Sequence, residues 1–202
     1  MTSNDTVNPE ESWKEMIEEF GDSHGSLGPK LSEFFHSDSY NLMWYVSWFK
    51  FAGKMIGDKG KALVFDPLEG LGSWTVACET NDVVGVLAAD DSYEEICKAW
   101  PCEKLIFKKN EAVPNMGEHE FGGVVYYDVG HKKTTSEWNS FFEDASHMLK
   151  DGGVVIAGGR SEDLSLILKE AASGYFKTVF MFGQGQPHPC ISPFNAVIVM
   201  AC

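Results

Sequence analysis

The chain has 202 residues, 44% of them hydrophobic and 23% charged, and a formal net charge of −14 from 16 Lys and Arg against 30 Asp and Glu. That length and apolar share fit one folded domain and argue against a disordered chain. The acidity argues against a broad nucleic-acid or anionic-membrane footprint; it fits plain solubility or, as the sharper reading, a cationic ligand or partner.

The polar, acidic start (residues 1–11) reads as a tail without a secretory signal. Ser12 to Phe20 places Trp13, Met16, Ile17 and Phe20 at helical spacing, and the Gly- and Ser-rich stretch that follows reads as loop. Residues 1–40 thus form a tail, a short helix and a loop ahead of a single domain over 41–202. The aromatic segment 41–56 predicts a helix whose inner face carries Met43, Tyr45, Val46, Phe49, Ala52 and Ile56. From Lys61 onward, apolar runs at 61–66, 82–88, 104–109, 122–128 and 152–157 alternate with helical patterns near 73–80, 92–100, 137–149 and 162–173. Such alternation predicts right-handed crossovers and a parallel sheet. Two last strands, 177–182 and 195–201, are joined by loop alone, so they form a hairpin that puts the last strand antiparallel.

The five cysteines are irregularly spaced and predict reduced, mostly buried thiols in a cytoplasmic setting. Cys97, Cys102, His188 and Cys190 match no structural zinc spacing, so no metal is expected. No apolar run is long enough to span a bilayer.

The richest stretch is 61–75, KALVFDPLEGLGSWT. An apolar strand ends in Asp66, a turn with Gly70 and Gly72 follows, and a helix begins near Ser73. In a parallel sheet this strand–loop–helix turn is where ligands bind. Trp74, one turn into the helix, reads as core.

Asp66 through Gly72, in this strand order, resembles the first motif of the class I S-adenosylmethionine-dependent methyltransferases. The resemblance spans about residues 40–202. It implies a three-layer Rossmann-like methyltransferase fold: a mostly parallel seven-stranded sheet with a C-terminal antiparallel hairpin. It also implies S-adenosylmethionine as cofactor. Asp66 then orients the loop and attracts the cofactor's ammonium group, and Gly70 and Gly72 let backbone approach the ligand. Leu68 stands where the family has its first glycine. At the end of the next strand, where the family places a ribose-binding acid, this chain has Leu87. Asp90 or Asp91 takes that role, or else both cap the helix that follows. Glu111 matches the position that meets the adenine amine, or is an exposed loop carboxylate. Residues 121–131 are similar to the strand and DGxH segment of small-molecule methyltransferases, with Gly122 in place of the usual acid. This makes Asp128 and His131 the catalytic candidates, able to take a proton from an acceptor hydroxyl. His188 and His24 are candidate pocket walls. His147 to Gly153 resembles the family's turn into its fifth strand. The expectation is methyl transfer to a small hydroxylated molecule, with no nucleic-acid or membrane partner. The alternative is a methyltransferase-like fold that binds without catalysing. A dinucleotide-dependent oxidoreductase fits less well, because Thr75 stands where a third glycine would fall.

Overall fold

Runs of Val, Ile, Leu and Phe favour extended, fully covered backbone, and each becomes a strand. In the computed structural model, which describes residues 28–37, 39–66, 68–110, 117–129, 133–160, 164–184 and 196–202, the strands are β1 (Ala62–Asp66), β2 (Val83–Leu87), β3 (Leu105–Lys109), β4 (Phe121–Asp128), β5 (Leu149–Gly159), β6 (Val179–Gln184) and β7 (Ala196–Ala201). They form one sheet in the order β3-β2-β1-β4-β5-β7-β6. β1 pairs in parallel with β2 and β4, β2 with β3, and β4 with β5. β7 runs antiparallel to both β5 and β6. The expected strands, their directions and the terminal hairpin are all present.

The helices are α1 (Pro29–Ser37), α2 (Ser39–Ile56), α3 (Leu71–Ala77), α4 (Tyr93–Ala99), α5 (Thr135–Met148) and α6 (Leu164–Ser173). Two cores flank the sheet. On one face Tyr45, Trp48, Phe49, Ala52 and Ile56 of α2 pack with Val64, Val125, Tyr127 and Ile156. On the other, Trp138, Phe142, Leu168 and Ala172 pack with Leu63, Val124, Val155 and Ala157. Tyr127 is the aromatic centre of the first core, its ring 4.9 Å from Trp48 and 5.6 Å from Tyr45, both edge to face.

Several local expectations are corrected. The inner face of α2 is centred on 45, 48, 49, 52 and 56, and Met43 is 48% exposed. At about 100° per residue, position 43 lies almost opposite position 45, so Trp44 and Trp48 take the inner places. Trp74 is 37% exposed rather than core; it lies against Trp100 with ring centroids 5.5 Å apart. α5 starts earlier than the apolar spacing shows. Thr134 accepts a hydrogen bond from the Glu137 backbone N–H, and the Glu137 carboxylate accepts one from the Thr134 N–H, forming a capping box. β5 begins at Leu149, and its pairing with β4 shifts register between Phe121 and Gly123. The thiols are less buried than expected: Cys78 and Cys202 are exposed, and both are free, as are Cys97 and Cys102. Among the described residues no helix is long and apolar enough to cross a membrane.

Candidate cofactor site

β1 delivers Asp66 to the carboxyl edge of the sheet, where it is 2% exposed. Its Oδ1 accepts hydrogen bonds from the Tyr45 hydroxyl at 2.9 Å and the Leu68 N–H at 3.1 Å. Its Oδ2 accepts one from the Ser73 N–H at 2.6 Å. Ser73 lies in the first turn of α3, and Gly70 at the helix start has no side chain to cap it. Asp66 therefore supplies the missing cap from the strand end. Burial raises the Asp66 carboxyl above its ordinary pKa, although the three hydrogen bonds pull the other way. Burial and the neighbouring Asp66 charge push the Tyr45 phenol well up, so it stays a donor.

The turn after Asp66 uses two left-handed residues in succession, Glu69 at φ 51° and Gly70 at φ 88°. A Cβ on Gly70 would fall 2.7 Å from Trp100 and 2.8 Å from Ile96, and one on Gly72 would fall 2.7 Å from Phe49. The Cβ sides of both glycines are thus taken up by the protein's own side chains. Leu68 is 5% exposed and belongs to the core.

Glu69 carried no signal in the sequence beyond its place between two motif residues. It is buried, and its Oε2 accepts the Leu31 N–H of α1 at 2.9 Å. Its carbonyl accepts the Trp100 indole N–H at 2.7 Å. α1 is thereby fastened to the loop after β1, with Leu31 sunk into the core.

The loop after β2 holds the two aspartates. Asp91 Oδ2 accepts the Ala88 N–H at 3.0 Å, and the Asp91 N–H bonds the Ala88 carbonyl at 3.1 Å. Ser92 makes no side-chain cap to α4. The pair therefore folds its own turn, and Lys30 bridges it, with Nζ 2.8 Å from Asp90 Oδ1 and 2.6 Å from Asp91 Oδ1.

At the end of β4, Asp128 is 2% exposed and its Oδ2 accepts the Lys133 N–H at 3.3 Å. The Lys133 amine sits 4.8 Å above the Tyr126 ring. Burial, then the Asp128 charge, raises the Tyr126 phenol. Glu111, His131, His188 and His24 lie outside the described residues.

A cavity of about 420 Å³ opens between the strand ends and α5, lined by Asp66, Leu87, Ala88, Asn110, Phe65, Tyr126 and Phe141, with Lys133, Glu137, Ser140 and Asp144 on the helix side. It brings together the strand-end positions of β1, β2 and β3. Leu68, Gly70, Gly72, Asp90 and Asp128 do not line it. A second, apolar recess of about 560 Å³ lies between α2 and the β6–β7 hairpin, lined by Trp44, Trp48, Phe51, Phe182 and Ile198 among others. Among the described residues no group of three His, Cys, Asp or Glu is placed to hold a metal ion.

No family model matches the sequence, and no curated protein does. Solved structures share its architecture at low identity. The didemethyltoxoflavin methyltransferase of Burkholderia thailandensis, with bound S-adenosylhomocysteine, superposes with a TM-score of 0.61 at 12% identity, over 99% of this chain and 92% of that one. The N-methyltransferase NodS of Bradyrhizobium japonicum, also in complex with S-adenosylhomocysteine, gives 0.60 at 10% identity over 86% and 92%. A tRNA methyltransferase of Aquifex aeolicus gives 0.60 at 16% over 77% and 67%. The chain has the Rossmann-like fold of the class I methyltransferases. The acceptors these names carry run from a small heterocycle to tRNA, so the fold by itself selects none.

Proposed function

We propose that this protein binds S-adenosylmethionine and transfers its methyl group to a small molecule, at a hydroxyl. The observation that carries the reading is the cavity at the ends of β1, β2 and β3, which joins Asp66, Leu87, Ala88 and Asn110 within this fold. Its size lies within the range of small-molecule sites. The residues present suit the adenosyl half of the cofactor: apolar walls from Phe65, Tyr126 and Phe141 for a purine, and the Asn110 amide for its polar edge. At the methionine half, Leu68 and the internally bonded Asp66 leave less room. Bound S-adenosylmethionine supplies an electrophilic methyl group on a sulfonium.

The chain's own residues bind, orient and exclude water. Tyr45 and the N–H groups of Leu68 and Ser73 hold Asp66 rigid. Asp128, with His131, takes the proton released by an acceptor hydroxyl.

Calorimetry and thermal unfolding with S-adenosylhomocysteine test the reading. Ligand at about 100 times its Kd should stabilise by about 2.7 kcal/mol, and nicotinamide dinucleotides should do nothing. No heat and no shift at millimolar ligand would overturn it. The second reading, a binding or scaffold protein without catalysis, is favoured by Leu68 lying in the core. It predicts ligand binding without methyl transfer to any hydroxylated acceptor offered.

A further inference from the structure

The sheet ends in β3 on one side and β6 on the other, and the two edges are finished differently. β3 closes on Lys108 and Lys109, both exposed, a common guard against a further strand. β6 has no such guard. Residues 178–202 contain no Asp, Glu, Lys or Arg, in a chain that carries 16 Lys and Arg and 30 Asp and Glu. Phe180 is 48% exposed, Met181 44% and Phe182 37%. Phe180 and Phe182 lie on the α2 face of the sheet, where Phe182 meets Phe51 with ring centroids 5.4 Å apart. Met181 projects from the other face.

The backbone at this edge is open. Thr178 and Cys202 exchange both N–H···O bonds, at 3.3 and 3.1 Å. Bonded and non-bonded pairs alternate along an antiparallel ladder. In the register Phe180↔Met200 and Phe182↔Ile198, Phe180 and Phe182 therefore bond to β7. Val179, Met181 and Gly183 turn their N–H and C=O groups away from β7, and among the described residues no strand lies beyond them.

We infer that β6 is a dimerisation edge whose partner is β6 of a second copy, antiparallel about a two-fold axis at Met181. Each Met181 then bonds its counterpart, and each Val179 bonds Gly183 across the axis, giving about six N–H···O bonds. Phe180 comes opposite Phe182, an aromatic cross-strand pair made twice. Such a contact closes on itself, whereas β6 against β3 of another copy would meet the lysines and grow without limit. Two copies at net −14 repel each other, and the uncharged strip is where contact costs least. The strip is small, so the dimer is a reversible one in the micromolar range.

Sedimentation equilibrium of the full-length protein, from about 1 µM to about 200 µM, tests this. The parent should pass from monomer to dimer, and added salt should tighten the dimer by screening its like charges. Met181→Lys should weaken it by about ten-fold or more, because two lysines then face each other across the axis. The same change lowers the overall repulsion, so the loss arises at the edge. Ile106→Lys, the same charge change at a 58% exposed position on β3, should dimerise as the parent does. Hydrogen exchange of the parent needs no variant: the amides of Val179, Met181 and Gly183 should slow as concentration rises, while those of Phe180 and Phe182 do not change. A monomer at every concentration, growth beyond a dimer, a dimer indifferent to Met181→Lys, or outward amides indifferent to concentration would each overturn the inference.

Discussion

The loops after β1 and β2 leave adjacent strands in the same direction, yet they are finished differently. After β1, the Asp66 oxygens are taken by Tyr45, Leu68 and Ser73, and protein side chains fill the space beside both glycines. After β2, a buried carboxylate is closed by a single partly exposed lysine. The first loop is bonded like core, and its features account for the stability of the corner. The second closes its own turn through Asp91 and Ala88 and is strapped from outside by an ion pair that water already reaches. A glycine-rich turn, taken alone, therefore points to close packing as readily as to a ligand, and the open space lies in the cavity beside Leu87 and Ala88.

Breaking the sealed loop should have the largest effect. Asp66→Ala leaves three buried donors without their acceptor and should cost at least about 3 kcal/mol in denaturant unfolding, at about 1–3 kcal/mol per buried group left unpaired. Asp66→Asn, which keeps the shape, should cost clearly less. A loss under about 1 kcal/mol for Asp66→Ala would mean that the corner is not bonded as described. Gly72→Ala drives a methyl into the Phe49 ring. Overpacking of this kind should cost about 1–3 kcal/mol, and trimming Phe49 to Leu in the same chain should recover part of it.

The cavity gives the opposite signature. Ser140→Phe, at an exposed position lining it, should change stability by no more than about 0.5 kcal/mol. It should nevertheless remove the thermal shift produced by S-adenosylhomocysteine. A retained shift would place the ligand elsewhere.

The smallest effect concerns pH. Burial opposes the Lys30 charge, but its bonds to Asp90 and Asp91 outweigh that and hold the amine above its ordinary value of 10.5. A raised pKa of this kind lends stability that is complete below the unfolded value and fades as pH climbs through the folded one. The thermal midpoint of the parent should therefore fall more than that of Lys30→Met as pH rises from about 9 to about 12. Parallel curves would show that the bridge adds nothing to stability.

Much of the fold was legible. Val154 to Ala157 and Leu63 to Phe65 are apolar on both sides of the strand, which only a sheet covered on both faces explains. The sequence between the expected strands 177–182 and 195–201 carries no helical period, and the expectation of a hairpin follows from that. The candidate site was legible only as a place. Asp66 was found through its position at a strand end, but its bonding to Tyr45 was not, because helical spacing puts Tyr45 on the inner face without showing which strand end that face meets. The α5 start was within reach, since Thr134 and Glu137 have the capping-box spacing. Nothing near Lys30, Glu69 or Trp100 announces a role, because each acts on a loop far away in the chain.

Sequence by itself determined the strands, their directions, the terminal hairpin and the strand-end acid. Those follow from side-chain periodicity, the need to cover apolar faces and the backbone freedom of glycine, all of which are properties of neighbouring residues. Tertiary structure alone decided which carboxylates are already bonded and where space remains. Pairing a lysine at 30 with an aspartate at 91, or filling the space beside a glycine at 72 with a phenylalanine at 49, depends on the order in which strands and helices come to lie side by side.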